Sequence, residues 1–443
     1  MDRIASNYLK KWKISEDRKP LIVRGARQIG KTTCIRHFGQ KFEHFVEFNF
    51  ERMLELHALF EKDLDPQRLI TDLQIISKQT ITAGETLLFF DEIQSCPRAL
   101  IALRYFFEMM PALHVIAAGS LLEFAIENIG VPVGRVNFLH MYPMSFLEFL
   151  WALGEIHFAE VILQQDPSQP LNPAIHEKGL RLLGEYMAIG GMPEVVASWR
   201  DHKNYQYCLD IHHDLMTAFG QDFEKYAKKT QIKYVEHLFK QIPCQLGKQL
   251  QYAKFPGNYR KRELSPALEL LIRANIVTPI LQTSGHGLPL GAEANPENFK
   301  IILLDVALTQ ALLGLTAEQW ILHPEQAFIN KGSLAEAFVG QEMLAYSNPR
   351  QMQQLYYWQR NNRGSEAEVD YLIGLSGKVI PIEVKAGKGS TLKSMHLFLE
   401  KHPHSPYGIR YSTHPYCATD TLHSYPLYAV MHVFKNTLNI EST

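Results

Sequence analysis

The sequence predicts a multidomain α/β protein, and three observations carry that prediction. Residues 21–33 run from an apolar strand through a glycine-bracketed loop into a helix. Residues 87–92 are a second apolar run ending in two acids. Residues 366–387 alternate as two strands around a Ser-Gly turn and carry acids and a lysine. At 443 residues the chain exceeds one ordinary domain, and its length suggests about three.

Lysines and arginines number 45 against 46 acids, for a net charge of -1, and 46% of residues are hydrophobic. This is the composition of a globular chain with apolar matter for real cores. There is no overall basic excess, so contact with nucleic acid has to come from a local patch. The opening Met1-Asp2-Arg3-Ile4-Ala5-Ser6 has no apolar run and does not read as a signal peptide. No stretch approaches the ~20 apolar residues of a membrane span. Cys34, Cys96, Cys208, Cys244 and Cys417 are scattered without a C-x-x-C pair, which argues against a disulfide framework or a zinc site. A cytoplasmic protein with no membrane partner is expected.

Leu21-Ile22-Val23 reads as the first strand. Gly25, Ala26, Arg27, Gln28, Ile29, Gly30, Lys31 and Thr32 then form a complete P-loop, with Thr33 beside it. Glycines are needed because main-chain N–H groups must wrap phosphate oxygens that no Cβ is allowed to crowd. Lys31 is suited to β- and γ-phosphates and the Thr32 hydroxyl to Mg²⁺. The helix that follows presents its positive end to the anion. ATP and Mg²⁺ are therefore the expected cofactors.

Leu87-Leu88-Phe89-Phe90 suits a central parallel strand covered on both faces. Asp91, at its carboxyl end, is placed to hold Mg²⁺, and Glu92 to take a proton from an attacking water. Residues 114–118 read as a third strand, ending in Gly119-Ser120. Arg135, in Gly134-Arg135-Val136, is a candidate arginine finger in cis or across a subunit interface, or an ordinary surface arginine. Pro66, Pro97 and Pro111 read as turns or helix starts.

Together these runs resemble a prokaryotic AAA-type ATP-binding family whose members carry a C-terminal domain of unknown function. The resemblance rests on residues 25–32, Asp91-Glu92-Ile93-Gln94, Gly119-Ser120 and Gly134-Arg135-Val136. It is strengthened by Pro143-Met144-Ser145-Phe146-Leu147-Glu148-Phe149 and Ile189-Gly190-Gly191-Met192-Pro193-Glu194. It covers nearly the whole chain. It implies an AAA-like parallel-sheet core, a γ-phosphate sensor at Ser120 and a helical lid beside the nucleotide.

The proline-dense residues 166–173 read as a connector, and residues 174–230 as helices with Leu180, Leu182, Leu183, Tyr186 and Met187 buried. His212-His213-Asp214 has no partner motif and reads as a helix surface or core edge. From Ile232 to Leu281 the pattern of helix, helix and strand, followed by a Gly-rich turn, looks like a winged helix. Lys248, Lys254, Arg260, Lys261, Arg262 and Arg273 crowd it, with Tyr252, Phe255 and Tyr259 interleaved. The two readings are phosphate contacts to DNA and a solvated face of a scaffolding module. The expected division is 1–155, an ATPase core; 156–230, a lid; 231–290, a winged helix; and 291–443, a C-terminal domain.

In that last part Asp370 sits on the first hairpin strand, and Glu383 and Lys385 on the second, two apart and so on one face. An Asp followed by Glu-x-Lys across a hairpin resembles the restriction-endonuclease-like (PD-(D/E)xK) nuclease core. Carboxylates such as Asp370 and Glu383 bind hard Mg²⁺ through oxygen, the metal activates water, and a lysine such as Lys385 stabilises charge. The resemblance also implies a glutamate on a preceding helix, for which Glu336 is the first choice and Glu342 the second. Pro381 is expected at a sheet edge or at a strand's first residue. Tyr357-Trp358-Gln359-Arg360-Asn361-Asn362-Arg363 is basic and aromatic, fit for a nucleic-acid backbone, and reads equally as an ordinary strand and turn. The expectation is an ATPase coupled to a nuclease-like domain that acts on or binds DNA. The alternative is a nucleotide-dependent switch or scaffold. A homo-oligomer or a protein partner fits either.

Overall fold

The computed structural model describes residues 1–120, 122–124, 134–315, 318–324, 327, 331–360, 367–385 and 392–438. Its chain forms two compact units, residues 2–142 with 348–352, and residues 143–347 with 353–438. Asn361, Asn362 and Arg363 of the basic aromatic run, and the ends of the 366–387 segment, lie outside the described residues.

In the first unit the described strands are β1 (Leu21–Arg24), β2 (His44–Asn49), β3 (Thr86–Asp91), β4 (His114–Ala118) and β5 (Asn137–His140). They form a parallel sheet in the order β2-β3-β4-β1-β5. Every residue of β3 and β4 is buried, as a parallel strand covered on both faces requires. Pro66 and Pro97 open helices at their first turn, where the missing N–H costs nothing. Asp65 caps the first of these by accepting from the Arg68 amide. Phe48, Phe50, Phe60, Phe90 and Phe106 fill one face of the sheet.

The second unit holds a mixed sheet in the order β12-β13-β11-β10-β9-β8-β6-β7. Its strands are β6 (Val277–Thr283), β7 (Ala294–Leu303), β8 (Leu355–Arg360), β9 (Ala367–Leu375), β10 (Lys378–Lys385), β11 (Gly408–Ser412), β12 (Cys417–Ala418) and β13 (Leu422–Pro426). The β9–β10 turn is Ser376-Gly377, both at positive φ (48° and 75°), with Leu375 facing Lys378. That is the two-residue hairpin the sequence predicts. Pro381 differs from expectation, because β10 is an interior strand. β11 pairs with β10 only from Ile382 onward, so the proline stands where its second neighbour has not yet begun.

The helices Lys229–Gln241 and Lys261–Arg273 are followed by β6, the expected helix, helix, strand order. The strand is not a detached wing. It pairs antiparallel with β7 and parallel with β8, inside the same sheet as the β9–β10 hairpin. Of the aromatic residues read beside the basic patch, Phe255 is buried, while Lys261 and Arg273 pair with Glu297 and Glu269.

The helix Pro173–Ile189 buries the predicted Leu180, Leu182, Leu183, Tyr186 and Met187. His212 is a core residue, its Nε2 3.0 Å from the Ile189 carbonyl oxygen. The buried helix Gly332–Tyr346 separates the two glutamates considered for one role. Glu342 caps another helix, Phe146–Ala152, accepting from the Phe146 amide at 3.0 and 3.1 Å and from the Tyr346 hydroxyl at 2.5 Å. Burial dominates these donors and lifts its pKa to about 8. The folded chain therefore keeps a proton that the unfolded chain releases above about pH 4.3. Stability must fall as pH climbs from there to about 8. Glu342→Gln, neutral throughout, is expected to flatten that fall by an amount on the order of a few kcal/mol. Melting curves at pH 5, 6.5 and 8 test this, and an unchanged slope would contradict it.

Candidate functional site

In the first unit β1 ends at Arg24, and residues 25–30 bend into the helix Lys31–Gly39. Gly25, Gln28 and Gly30 take φ of 135°, 62° and 88°. A Cβ on Gly25 would stand 2.2 Å from the Met141 carbonyl oxygen, so the cradle wall admits only glycine there. Such a bend turns main-chain N–H groups toward a shared concavity, with the helix dipole behind it. Ala26 and Ile29 are buried beneath the loop, Arg27 is partly exposed, and Gln28 and Thr33 face solvent.

Lys31 is buried and donates to the carbonyls of Gly25 (3.0 Å) and Ala26 (2.7 Å). Burial lowers its pKa to about 8, against the opposing pull of Glu92 and Asp91. The Thr32 hydroxyl donates to the Asp91 carboxylate, 3.1 Å from Oδ1. Burial, then the Glu92 charge, raises the Asp91 pKa. A hydroxyl beside a carboxylate is an oxygen donor set that fits Mg²⁺.

β4 separates β1 from β3 and brings the buried Ser120 to the same carboxyl edge of the sheet. Two further residues of this centre were not singled out from sequence. Asn49, at the end of β2, donates to Asp91 Oδ2 at 3.1 Å. Gln94 donates to Glu92 Oε2 at 2.6 Å, and Glu92 itself sits at φ 50°. Gln94 packs so closely on Gly119 that a Cβ there would lie 2.0 Å from its Oε1. The Asp-Glu-Ile-Gln run contained Gln94, but only the fold shows what it touches.

Arg135 stands apart from these residues. It precedes β5, whose first residue, Asn137, lies beside Leu21 at the start of β1. The P-loop follows the other end of β1, about 13 Å away at 3.3 Å per residue. Arg135 pairs instead with Glu108, at 2.8 Å. In this structure it stands near the opposite end of β1 from the P-loop.

In the second unit Glu336, Asp370, Glu383 and Lys385 come together. Trp358 pairs with Val369 and Tyr356 with Leu372, so Asp370 and Tyr371 stand opposite the single residue Tyr357. This is a β-bulge, a device that re-aims side chains near functional sites. Tyr371 donates through its hydroxyl to the Glu336 carbonyl at 2.8 Å, tying the bulge to the helix. Asp370 Oδ2 accepts from the Val384 amide at 2.7 Å. Lys385 Nζ lies 2.5 Å from Glu383 Oε1, so the two do share a side. Glu383 is 3% exposed, and its Oε2 has no hydrogen-bond partner among the described residues. Burial, then the neighbouring Asp370, pushes the Glu383 pKa up. Burial does the same to Glu336.

Lys300 and Glu368 complete this cluster. Lys300, on β7, is fully buried. It lies 3.0 Å from Glu336 Oε1, contacts Glu368 closely, and rests 5.1 Å from the Tyr357 ring centroid. Burial opposes its charge, but Glu336, Asp370 and Glu368 outweigh that and raise its pKa. The signal was one lysine in the apolar run Phe299-Lys300-Ile301-Ile302-Leu303, where charge without a partner is costly.

Residues 17–150 match the family described as AAA domain. Residues 180–319 and 331–430 match two families described as domains of unknown function, DUF8612 and DUF4143. Comparison with curated proteins gave no match. Among solved structures, the Walker-type ATPase PABY2304 of Pyrococcus abyssi is 13% identical, over 70% of this chain and 94% of that one, with a TM-score of 0.43. The Aeropyrum pernix ORC1 protein in complex with DNA is 13% identical over 70% and 90%, with a TM-score of 0.22. The Thermotoga maritima RuvB Holliday junction branch migration motor is 12% identical over 61% and 88%, with a TM-score of 0.27. By its parallel sheet and glycine-bracketed loop the first unit has a P-loop ATPase-like α/β fold, and its residues 17–150 are similar to AAA domains.

Gly25→Ala would force a Cβ onto the Met141 carbonyl at φ 135°. It is expected to cost about 1–3 kcal/mol of stability, read as a lowered denaturant midpoint. Wild-type stability in that variant would show that the bend tolerates a side chain.

Proposed function

We propose that this chain binds ATP with Mg²⁺ and hydrolyses it in the cytoplasm. We further propose that its C-terminal part, 291–443 in the four-part division, is a metal-dependent nuclease-like module acting on or binding DNA. The observation that carries the first claim is the contact of the Thr32 hydroxyl with the Asp91 carboxylate. It joins the two halves of a Mg²⁺ site across residues 59 apart in sequence. In this reading main-chain amides of residues 25–32 grip the phosphates, and Lys31 leaves its carbonyl partners for their oxygens. Ser120 senses the γ-phosphate from the end of β4. Glu92, held by Gln94, orients the attacking water and accepts its proton. Mg²⁺ at Thr32 and Asp91 would neutralise developing charge. Arg135 acts, if at all, across a subunit boundary of a homo-oligomer. ATP state gates the nuclease-like centre, where Asp370 and Glu383 would hold a metal ion that activates water and Lys385 would stabilise charge.

Lys31→Ala is expected to weaken ATP binding by roughly tenfold to a hundredfold, the loss of a charged hydrogen-bonding group. Calorimetric titration with a non-hydrolysable analogue reads it. Undiminished affinity would remove the P-loop assignment.

With Mg²⁺ or Mn²⁺, the purified protein is expected to nick DNA. Glu383→Ala and Lys385→Ala should each abolish nicking and leave ATP affinity unchanged. One observation favours the rival reading of a nucleotide-dependent scaffold: Lys300 already engages Glu336 and Glu368. If neither DNA nor RNA is cut, the module serves to bind a nucleic-acid or protein partner.

A further inference from the structure

We propose that Lys300 is a built-in cation of the second unit's acidic cluster, so that the cluster takes one divalent metal ion rather than two. The inference rests on the metal-binding reading above and extends it to stoichiometry.

The cluster contains four carboxylates, those of Glu336, Glu368, Asp370 and Glu383, and two ammonium groups, those of Lys300 and Lys385. With all six ionised the sum is -4 + 2 = -2. One divalent cation brings it to zero. A second would leave +2 around the buried Lys300 and Glu383, which is unfavourable.

Geometry divides the acids in the same way. Lys300 Nζ contacts both Glu336, on the helix Gly332–Tyr346, and Glu368, on β9, and is fully buried against the Tyr357 ring. An ammonium so placed occupies the position from which a cation would bridge these two carboxylates. It cannot swing out to solvent without leaving two acids behind. Glu383 is different. Its Oε1 pairs with Lys385, while its Oε2 is buried and without a hydrogen-bond partner among the described residues. A buried carboxylate oxygen in that condition needs an explanation, and a cation shared with the neighbouring Asp370 supplies one. Asp370 keeps one oxygen on the Val384 amide, which fixes its orientation. Asp370 and Glu383 are thus left for a single ion, while Lys300 holds the place between Glu336 and Glu368.

The test is Mn²⁺ stoichiometry on the full chain without nucleotide, by electron paramagnetic resonance of free Mn²⁺. Wild type should show one ion that Glu383→Gln removes and Glu336→Gln leaves in place. Lys300→Met should add one ion, and Glu336→Gln in that background should remove it. Circular dichroism checks that the variants fold. If Lys300→Met does not, the wild-type comparison still decides. An ion in wild type that Glu336→Gln removes overturns the role given to Lys300 and leaves the metal centre standing. Absence of any Glu383-dependent ion overturns the metal centre itself. A folded Lys300→Met variant that gains no ion also overturns the proposal.

Discussion

A charge taken out of water must be answered by an opposite charge, by hydrogen bonds or by a ligand. Both units are organised around that requirement. In the first, Lys31 and Asp91 are buried at the carboxyl edge of a parallel sheet and answered by main-chain carbonyls, the Thr32 hydroxyl and Asn49. In the second, Lys300 on β7 is answered by Glu336 and Glu368, and Glu383 on β10 by Lys385. The secondary structure serves this end. The glycine at 25 exists because a Met141 carbonyl crowds it. The bulge at Asp370 and Tyr371 lets the Tyr371 hydroxyl reach the Glu336 carbonyl while Asp370 accepts from the Val384 amide.

What the sequence made legible was local chemistry. The P-loop, the acid-ended third strand and the Ser376-Gly377 turn are short-range patterns, set by main-chain sterics and side-chain alternation within a few residues. They appear where expected. Asn49 and Gln94 were not legible as site residues, because a lone amide near an acid has no periodic signature and gains meaning only from the strand beside it. The helix, helix, strand order around residues 229–283 was legible too. Which sheet the strand enters was not, because its partner β8 begins at Leu355, far along the chain. Strand pairing at that separation is decided by tertiary packing rather than by any run of residues.

Lys300 shows the same limit from the other direction. Its neighbours in sequence are apolar, and nothing local says which acids will meet it. Once β7 lies on β6, and β6 beside β8, the side chain is directed under the helix that carries Glu336. The division of residues at 290 cuts between β6 and β7, two strands that pair along most of their length. A contribution from β7 to the acidic cluster is therefore the natural result of one continuous sheet.

The two centres use the same residue types to opposite effect. Lys31 has only neutral carbonyls as hydrogen-bond partners, and burial leaves its ammonium less favoured than in water, with a pKa near 8. Such a group gains from an arriving anion, which a triphosphate supplies. Lys300 and Lys385 are surrounded by carboxylates that outweigh burial and hold both charges firmly. Those lysines already have their counter-charge, and the surplus in their cluster is negative. An anion would be repelled there unless a cation came first. In the first unit, the P-loop and Lys31 would themselves supply the attraction for a phosphate.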